Sequence, residues 1–302
     1  MGKAQLQAHP VYSLVKADPI IYSKYFATYR KNVWFRPSWK HVQQMMADAD
    51  DCYWIMSDGI RIAGISISEN TMGSLFVIPP FVFSQPIVAY LKEYILENIT
   101  GINRIHADNV LPEHIAAFAA EGFKPEQARK CMIRPTADTH SPSLVDQFRC
   151  EQPEPGELVQ ITRLMMDAYC NSIDDRDGEV FTQDILYYFE NNSIDILLDA
   201  SSTIVDQQSN EIVGICFVSL WEDLPLIYEI AVAPACKGKG LAEYMLRKAI
   251  HKLDRHYDVL RLFVTTGNKA ELLYTKLGFL PGDELTNMVY TNELKPTTIQ
   301  RS

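Results

Sequence analysis

The chain has 302 residues, a formal net charge of −10 and 47% hydrophobic residues, which suits about two globular domains. The acidic balance argues against nucleic acid as a general partner, and the strongest apolar run, 75–83, is broken by Pro79 and Pro80 and is too short to span a membrane. Six scattered cysteines with no Cys-x-x-Cys suit reduced thiols in a cytoplasmic protein better than a disulfide frame or a metal site, and the first ten residues lack the apolar core of a secretory signal.

In chain order, the first half opens one pattern and the second half repeats it. Gly64, within the apolar run 60–68, is echoed by Gly214 within 211–220. Val77-Ile78-Pro79 is echoed by Val232-Ala233-Pro234, and Glu121-Gly122-Phe123-Lys124-Pro125 by Leu277-Gly278-Phe279-Leu280-Pro281. Met132 then falls opposite Met288. A nearly constant spacing of about 155 positions points to a duplication. The segment 136–156, rich in Ser, Thr and Pro, marks the boundary. The expected domains are 1–140 and 146–302.

The second copy reads element by element. A first strand at 148–151 leads to helices at 157–170 and 182–191. Strands follow at 203–206, 211–220 and 226–232, then a helix at 240–253 with an apolar face of Leu241, Met245, Ala249 and Leu253. A strand at 259–264, a short helix at 269–277 and a closing strand at 287–291 complete it. Strand–helix–strand order there implies a parallel pair with a helical crossover, and such sheets bind ligands beyond the carboxyl ends of their strands.

The junction 227–249 has the layout of a phosphate cradle. An apolar strand runs into Pro234, a glycine-bearing turn and an amphipathic helix. Backbone N–H groups at a helix N-terminus carry positive partial charge, Gly238 and Gly240 permit close approach of a ligand, and Lys237 and Lys239 add cationic charge at the same spot.

Lys237-Gly238-Lys239-Gly240-Leu241-Ala242 resembles the Arg/Gln-x-x-Gly-x-Gly/Ala signature of the GNAT acetyltransferase superfamily. Downstream, 270–279 resembles that family's second motif, ending in Tyr274-Thr275-Lys276-Leu277-Gly278-Phe279. Together the matches cover about 150–294. The resemblance implies an α/β fold of two tandem GNAT-like domains. Each is a mixed, mostly antiparallel central sheet flanked by helices, with a parallel strand–helix–strand unit at the cofactor site.

The resemblance also implies acetyl-CoA as co-substrate, with no metal. Its pyrophosphate would sit on the N–H groups of residues 238–242, and its pantetheine arm would pair with backbone groups of Ile230, Ala231 and Val232 as an added strand does. The family's bulge in this strand would open the slot, and an N–H near Ile230 or Ala231 would face the charge developing on the thioester carbonyl. Tyr274 is then the general acid to the leaving thiolate. Glu229 is the leading general base; strict alternation would turn Tyr228 to the other face. Lys237 departs from the family's Arg or Gln and loses the planar fork. Gly267 stands where the second motif often has Asn; Asn268, one residue later, would cap the helix or touch the pantetheine arm.

The first copy lacks these features. Opposite the glycine loop it has Val82-Phe83-Ser84-Gln85-Pro86, and opposite Tyr274 it has Phe118. It is expected to keep the fold without cofactor chemistry. His106 and His114 read as surface or core histidines.

The second copy is longer by about a dozen residues before its Gly214 strand. That length includes 171–179, whose four acids would attract a cationic amine; a solvated loop is the plainer reading. Trp221, Glu222 and Asp223 read equally as a pocket wall or a simple turn.

The expectation is an N-acetyltransferase that moves an acetyl group to a primary amine by direct attack in a ternary complex. The acceptor would be a small molecule or a peptide, and the protein a monomer or homodimer. A non-catalytic acyl-CoA sensor, or a tandem protein with another acyl donor, are the alternatives.

Overall fold

The computed structural model describes residues 11–99, 101–137 and 143–292. The chain forms two compact units. Unit 1 holds the described residues up to Arg129 and those from Asp283 onward; unit 2 holds Lys130–Gly282.

The first run of elements is β1 (Tyr12–Lys16), α1 (Pro19–Tyr29), α2 (Trp39–Met45), β2 (Cys52–Ser57), β3 (Ile60–Ser68), β4 (Thr71–Val77), α3 (Gln85–Asn98), β5 (Arg104–Val110), α4 (Ile115–Ala120) and β6 (Lys124–Pro135). The second run is β7 (Phe148–Glu151), α5 (Leu158–Tyr169), α6 (Gly178–Asn191), α7 (Asp195–Ala200), β8 (Ser202–Asp206), β9 (Ile212–Trp221), β10 (Leu224–Val232), α8 (Leu241–Leu253), β11 (Val259–Thr265), α9 (Ala270–Lys276), β12 (Leu280–Pro281) and β13 (Leu285–Thr291). The second run follows the predicted elements closely. The short helix α7 was not expected.

In unit 1 the strand order is β1-β2-β3-β4-β5-β13-β6; in unit 2 it is β6-β11-β10-β9-β8-β7, with β12 against β6. Each sheet is mostly antiparallel with one helix-crossed parallel pair. In unit 1 that pair is Thr71↔His106 and Met72↔Ala107; in unit 2 it is Leu226↔Arg261 and Ile227↔Leu262. The same register recurs about 155 positions later, as a duplication requires.

The units are not the contiguous segments 1–140 and 146–302, and residue 140 lies outside the described residues. The last strands are exchanged. In unit 2, residues of β6 pair with β12 at Leu280↔Ile133 and Pro281↔Met132. In unit 1, β13 lies between β5 and the start of β6, at Met288↔Ala107 and Leu285↔Arg129. Met132 is buried in the core of unit 2 and Met288 in that of unit 1. The repeat pattern matches the two methionines correctly, but a linear sequence does not reveal which sheet a closing strand joins.

Local sequence explains the elements. Helix α8 buries Leu241, Met245, Leu246, Ala249, Ile250 and Leu253 along one face, each large side chain contributing about 1.5–3 kcal/mol. Helix α3 buries Ile87, Val88, Leu91 and Ile95 in the same way. Asp18 caps α1 through Ile21 N at 2.9 Å, with Pro19 in its first turn. Gly64 is required by close approach, because a Cβ there would meet the ring of Phe76 at 2.4 Å and that of Tyr22 at 2.8 Å.

All six cysteines are free. Among the described residues no helix is long and apolar enough to cross a membrane, and no group of three or more His, Cys, Asp or Glu is placed to hold a metal ion.

Candidate active site

The site is built around the end of β10. This strand pairs with β9 from Leu224↔Trp221 to Val232↔Gly214, with a register shift between Ile227 and Glu229. Tyr228 is the extra residue of this bulge, and bulges bend the strand that carries them. The parallel pairing with β11 covers Leu226 and Ile227, while the pairing with β9 runs on to Val232. Past Ile227 the two parallel strands part. The bulge also corrects the expected facing of Tyr228. Tyr228 packs with Tyr188 and Tyr187 of α6, and Glu229 bonds to α5, so both side chains face the α5–α6 layer. An inserted residue breaks the two-residue alternation on which the expectation rested.

Glu229 is held at both oxygens. The Tyr169 hydroxyl lies 3.1 Å from Oε2, and Arg176 Nη2 donates to Oε1 at 2.5 Å. The same hydroxyl lies 2.9 Å from the carbonyl oxygen of Ile230. Arg176 Nη1 donates to Asp184 at 2.7 Å, and its guanidinium stacks over Phe181 at 4.7 Å. Burial raises the Glu229 pKa; Arg176 and Tyr169 act against that rise without cancelling it.

Tyr274, on α9, is buried with its ring edge-on to Phe279 at 6.2 Å. Its pKa lies well above the ordinary phenol value, through burial first and then through the charges of Cys216, Glu229 and Asp174. Tyr169 is raised likewise by burial and by Glu229 and Tyr274. These mutual effects place Glu229, Tyr169 and Tyr274 in one electrostatic neighbourhood. Tyr274 keeps its proton at neutral pH.

The loop between α5 and α6 closes on this group. Asp174 accepts from Thr265 Oγ1 at 2.5 Å and from Asn268 Nδ2 at 2.6 Å. Asp175 accepts from Asn171 N at 2.8 Å, and Asp177 caps α6 through Glu179 N at 2.7 Å. Asp174, Asp175 and Asp177 thus have structural partners, while Asp175, Asp177 and Glu179 remain exposed. Asn268 also accepts from Ala270 N at 2.8 Å, which caps α9.

The glycine turn follows β10. Gly238 and Gly240 both have φ of 81°, and a Cβ at either would meet nothing within 4 Å. Gly240 is the N-cap of the 13-residue helix α8, whose first N–H groups have no side-chain cap. Free N–H groups at a helix start suit a phosphate. Leu241 is buried beneath the turn and Ala242 follows it in the first turn of α8. Glu243 in that turn is paired with Arg247 and Lys276, which hold its pKa low. The two lysines do not converge as expected. Lys237 donates to the Ala168 carbonyl at 3.2 Å, whereas Lys239 lies over the Phe148 ring at 5.5 Å. Gly238 between them, with φ of 81°, turns the chain, and each lysine finds a different neighbour.

Unit 1 shows the same place closed. Arg30, the C-cap of α1, donates from Nη1 to Leu75 O at 2.7 Å and from Nη2 to Asn109 O at 2.8 Å. It thereby bridges β4 and β5 where their pairing ends, beside a small cavity lined also by Met72, Ala107 and Phe118. Burial lowers its pKa to about 10. Helix α3 begins at Ser84 with Pro86 in its first turn, and Phe118 is buried against Phe83 and Phe123. His114 is buried against Phe83, and His106 lies 3.7 Å from Glu126. Both are structural.

Sequence reasoning missed Tyr169, Arg176 and Asp184. An Arg among acids in an inserted loop was the one available signal. Trp221 ends β9 with its ring edge-on to Phe263 at 5.2 Å and its carbonyl accepting from Arg261, and Glu222 and Asp223, both with positive φ, form the β9–β10 turn.

Residues 159–279 match the model of the Acetyltransferase (GNAT) family. In fold, the chain is similar to a GCN5-related N-acetyltransferase from Sphaerobacter thermophilus, with 14% identity and a TM-score of 0.68 over 93% of this chain and 95% of that one. It is also similar to a tandem GNAT protein from the clavulanic acid biosynthesis pathway, with 13% identity and a TM-score of 0.60 over 94% and 100%. A GCN5-related glucosamine N-acetyltransferase region of a fungal multi-domain GH3 beta-N-acetylglucosaminidase gives 11% identity and 0.62 over 94% and 38%. No curated protein matches the chain in sequence.

Proposed function

We propose that this chain, whose residues 159–279 match the GNAT family model and whose fold is that of tandem GNAT proteins, is a tandem-domain member of that superfamily, and that unit 2 is an acetyl-CoA-dependent N-acetyltransferase acting on a primary amine. One juxtaposition carries the reading. An uncapped, glycine-led helix stands at the end of a split strand pair, and Glu229, on the split strand, lies near enough to the buried Tyr274 to act on it electrostatically.

Acetyl-CoA would supply an activated acetyl thioester. The N–H groups of residues 238–242 would hold its pyrophosphate, and the open positions at Gly238 and Gly240 fit that role. Backbone groups of Ile230, Ala231 and Val232 would bind the arm. Lys237 contributes charge from the end of α5, and Lys239 only from a distance. Asn268 holds the turn at the end of β11, since its amide is engaged by Asp174 and Ala270.

Glu229 would take the proton from the acceptor ammonium. The freed amine attacks the acyl carbon, a C–N bond forms and the C–S bond breaks. Tyr274 would give its phenolic proton to the departing sulfur, and solvent then restores it. A backbone N–H at Ile230 or Ala231 would face the carbonyl oxygen. Glu229 and Asp184 share one bridging cation, Arg176, so this group keeps a net negative charge that favours a cationic acceptor.

The expected result is amine-dependent release of thiol from acetyl-CoA across a panel of amines, amino acids, polyamines, aminoglycosides and peptides. No release from any member, with acetyl-CoA bound, would leave a binding module instead.

A further inference from the structure

We propose that Arg176 is a positioning residue whose guanidinium, braced by Asp184 and the face of Phe181, holds the Glu229 carboxylate charged and aimed. The inference deepens the reading of Glu229 as base.

The geometry is assembled from both sides. Asp174 ties the loop to Thr265 and Asn268, and Asp177 anchors it to α6. Arg176 lies between these anchors. One arm of its fork goes to Asp184 at 2.7 Å and the other to Glu229 at 2.5 Å, with the ring of Phe181 beneath the guanidinium. The fork is thus fixed before any acceptor arrives, and planar guanidinium suits such a two-carboxylate bridge better than a point charge does.

Glu229 needs that support. Tyr169 from α5, Asp184 from α6, Tyr274 from α9 and its neighbour Tyr228 all face it or act on it. None of these four is a cation. Burial and the like charge of Asp184 favour the protonated carboxyl, while Arg176 favours the ionised one, aided by the Tyr169 hydroxyl. A protonated Glu229 has no capacity to accept an ammonium proton. Loss of Arg176 therefore moves the pH at which the base becomes active upward.

The test is a carboxyl-carbon NMR titration of Glu229 in the full chain, with its signal assigned through Glu229→Gln. Arg176→Gln is expected to raise the midpoint by about 1–3 pH units, the range for loss of an adjacent opposite charge. Arg176→Lys keeps the charge without the fork; its midpoint is expected between the other two, and it serves where the Gln variant does not fold. Midpoints that coincide in all folded variants overturn the proposal. So does a fall in KM for the amine with an unmoved midpoint, which would make Arg176 a gate. Thiol-release rates against pH form a separate arm. An acid limb that moves with the midpoint supports both readings, whereas a shifted midpoint without any turnover keeps the role of Arg176 and removes that of Glu229 as base.

Discussion

Tyr274→Phe is expected to lower kcat for thiol release by about a hundredfold or more, the usual worth of a positioned proton donor, with little change in the affinity for acetyl-CoA. The substitution removes one hydroxyl and keeps the ring. Unit 1 shows that the fold accepts this. Phe118, at the register counterpart of Tyr274, is buried and lies edge-on to Phe123 at 5.3 Å, as Tyr274 lies edge-on to Phe279 at 6.2 Å. A stability loss within about 1.5 kcal/mol follows from a single hydrogen-bonding group. Steady-state kinetics together with a binding titration separate the outcomes. Unchanged turnover would deny Tyr274 the acid role, and a selective loss of affinity would make it a cofactor contact.

Arg30→Met is expected to destabilise the protein by about 2–4 kcal/mol, because two part-buried carbonyls lose their charged donor together. Arg30 binds Leu75 O and Asn109 O across the gap where β4 and β5 part. Asn109 holds φ of 53° and its N–H is bonded to Asn287 at 2.9 Å, so that segment has little freedom to find another partner. Burial lowers the guanidinium pKa only to about 10, so the group stays charged at neutral pH. Unit 2 has Cys170 at the matching helix end, which offers no such bridge, and its split stays open. Urea unfolding measures the effect. A loss below about 0.5 kcal/mol, the scale of an ordinary surface substitution, would show that the bridge is dispensable.

Much of this was legible in the chain. Gly238 and Gly240 marked the open glycine turn, Tyr274 was placed by its motif, and Phe118 and the glycine-free stretch 82–86 marked the altered copy. The bulge at Tyr228 was anticipated from family resemblance, yet its consequence for facing was not, because alternation assumes an unbroken ladder. The contacts of Glu229 with Tyr169 and Arg176 span 60 and 53 positions, distances at which no periodic signal connects residues. Asp174 looked like one solvated acid among several; only its neighbours across the fold, Thr265 and Asn268, give it a role. The exchange of β13 and the end of β6 was invisible for the same reason. A strand's sequence specifies its alternation and leaves open which sheet it completes.

The central claim is that one glycine-led helix, in unit 2 alone, binds the acyl donor. Isothermal titration with acetyl-CoA tests it most directly. The expected result is a single site per chain, weakened at least about tenfold by Gly240→Ala, since φ of 81° disfavours alanine by about 1–2 kcal/mol and the added methyl projects into the cradle. Two sites per chain, no binding at all, or an affinity indifferent to Gly240→Ala would contradict the account.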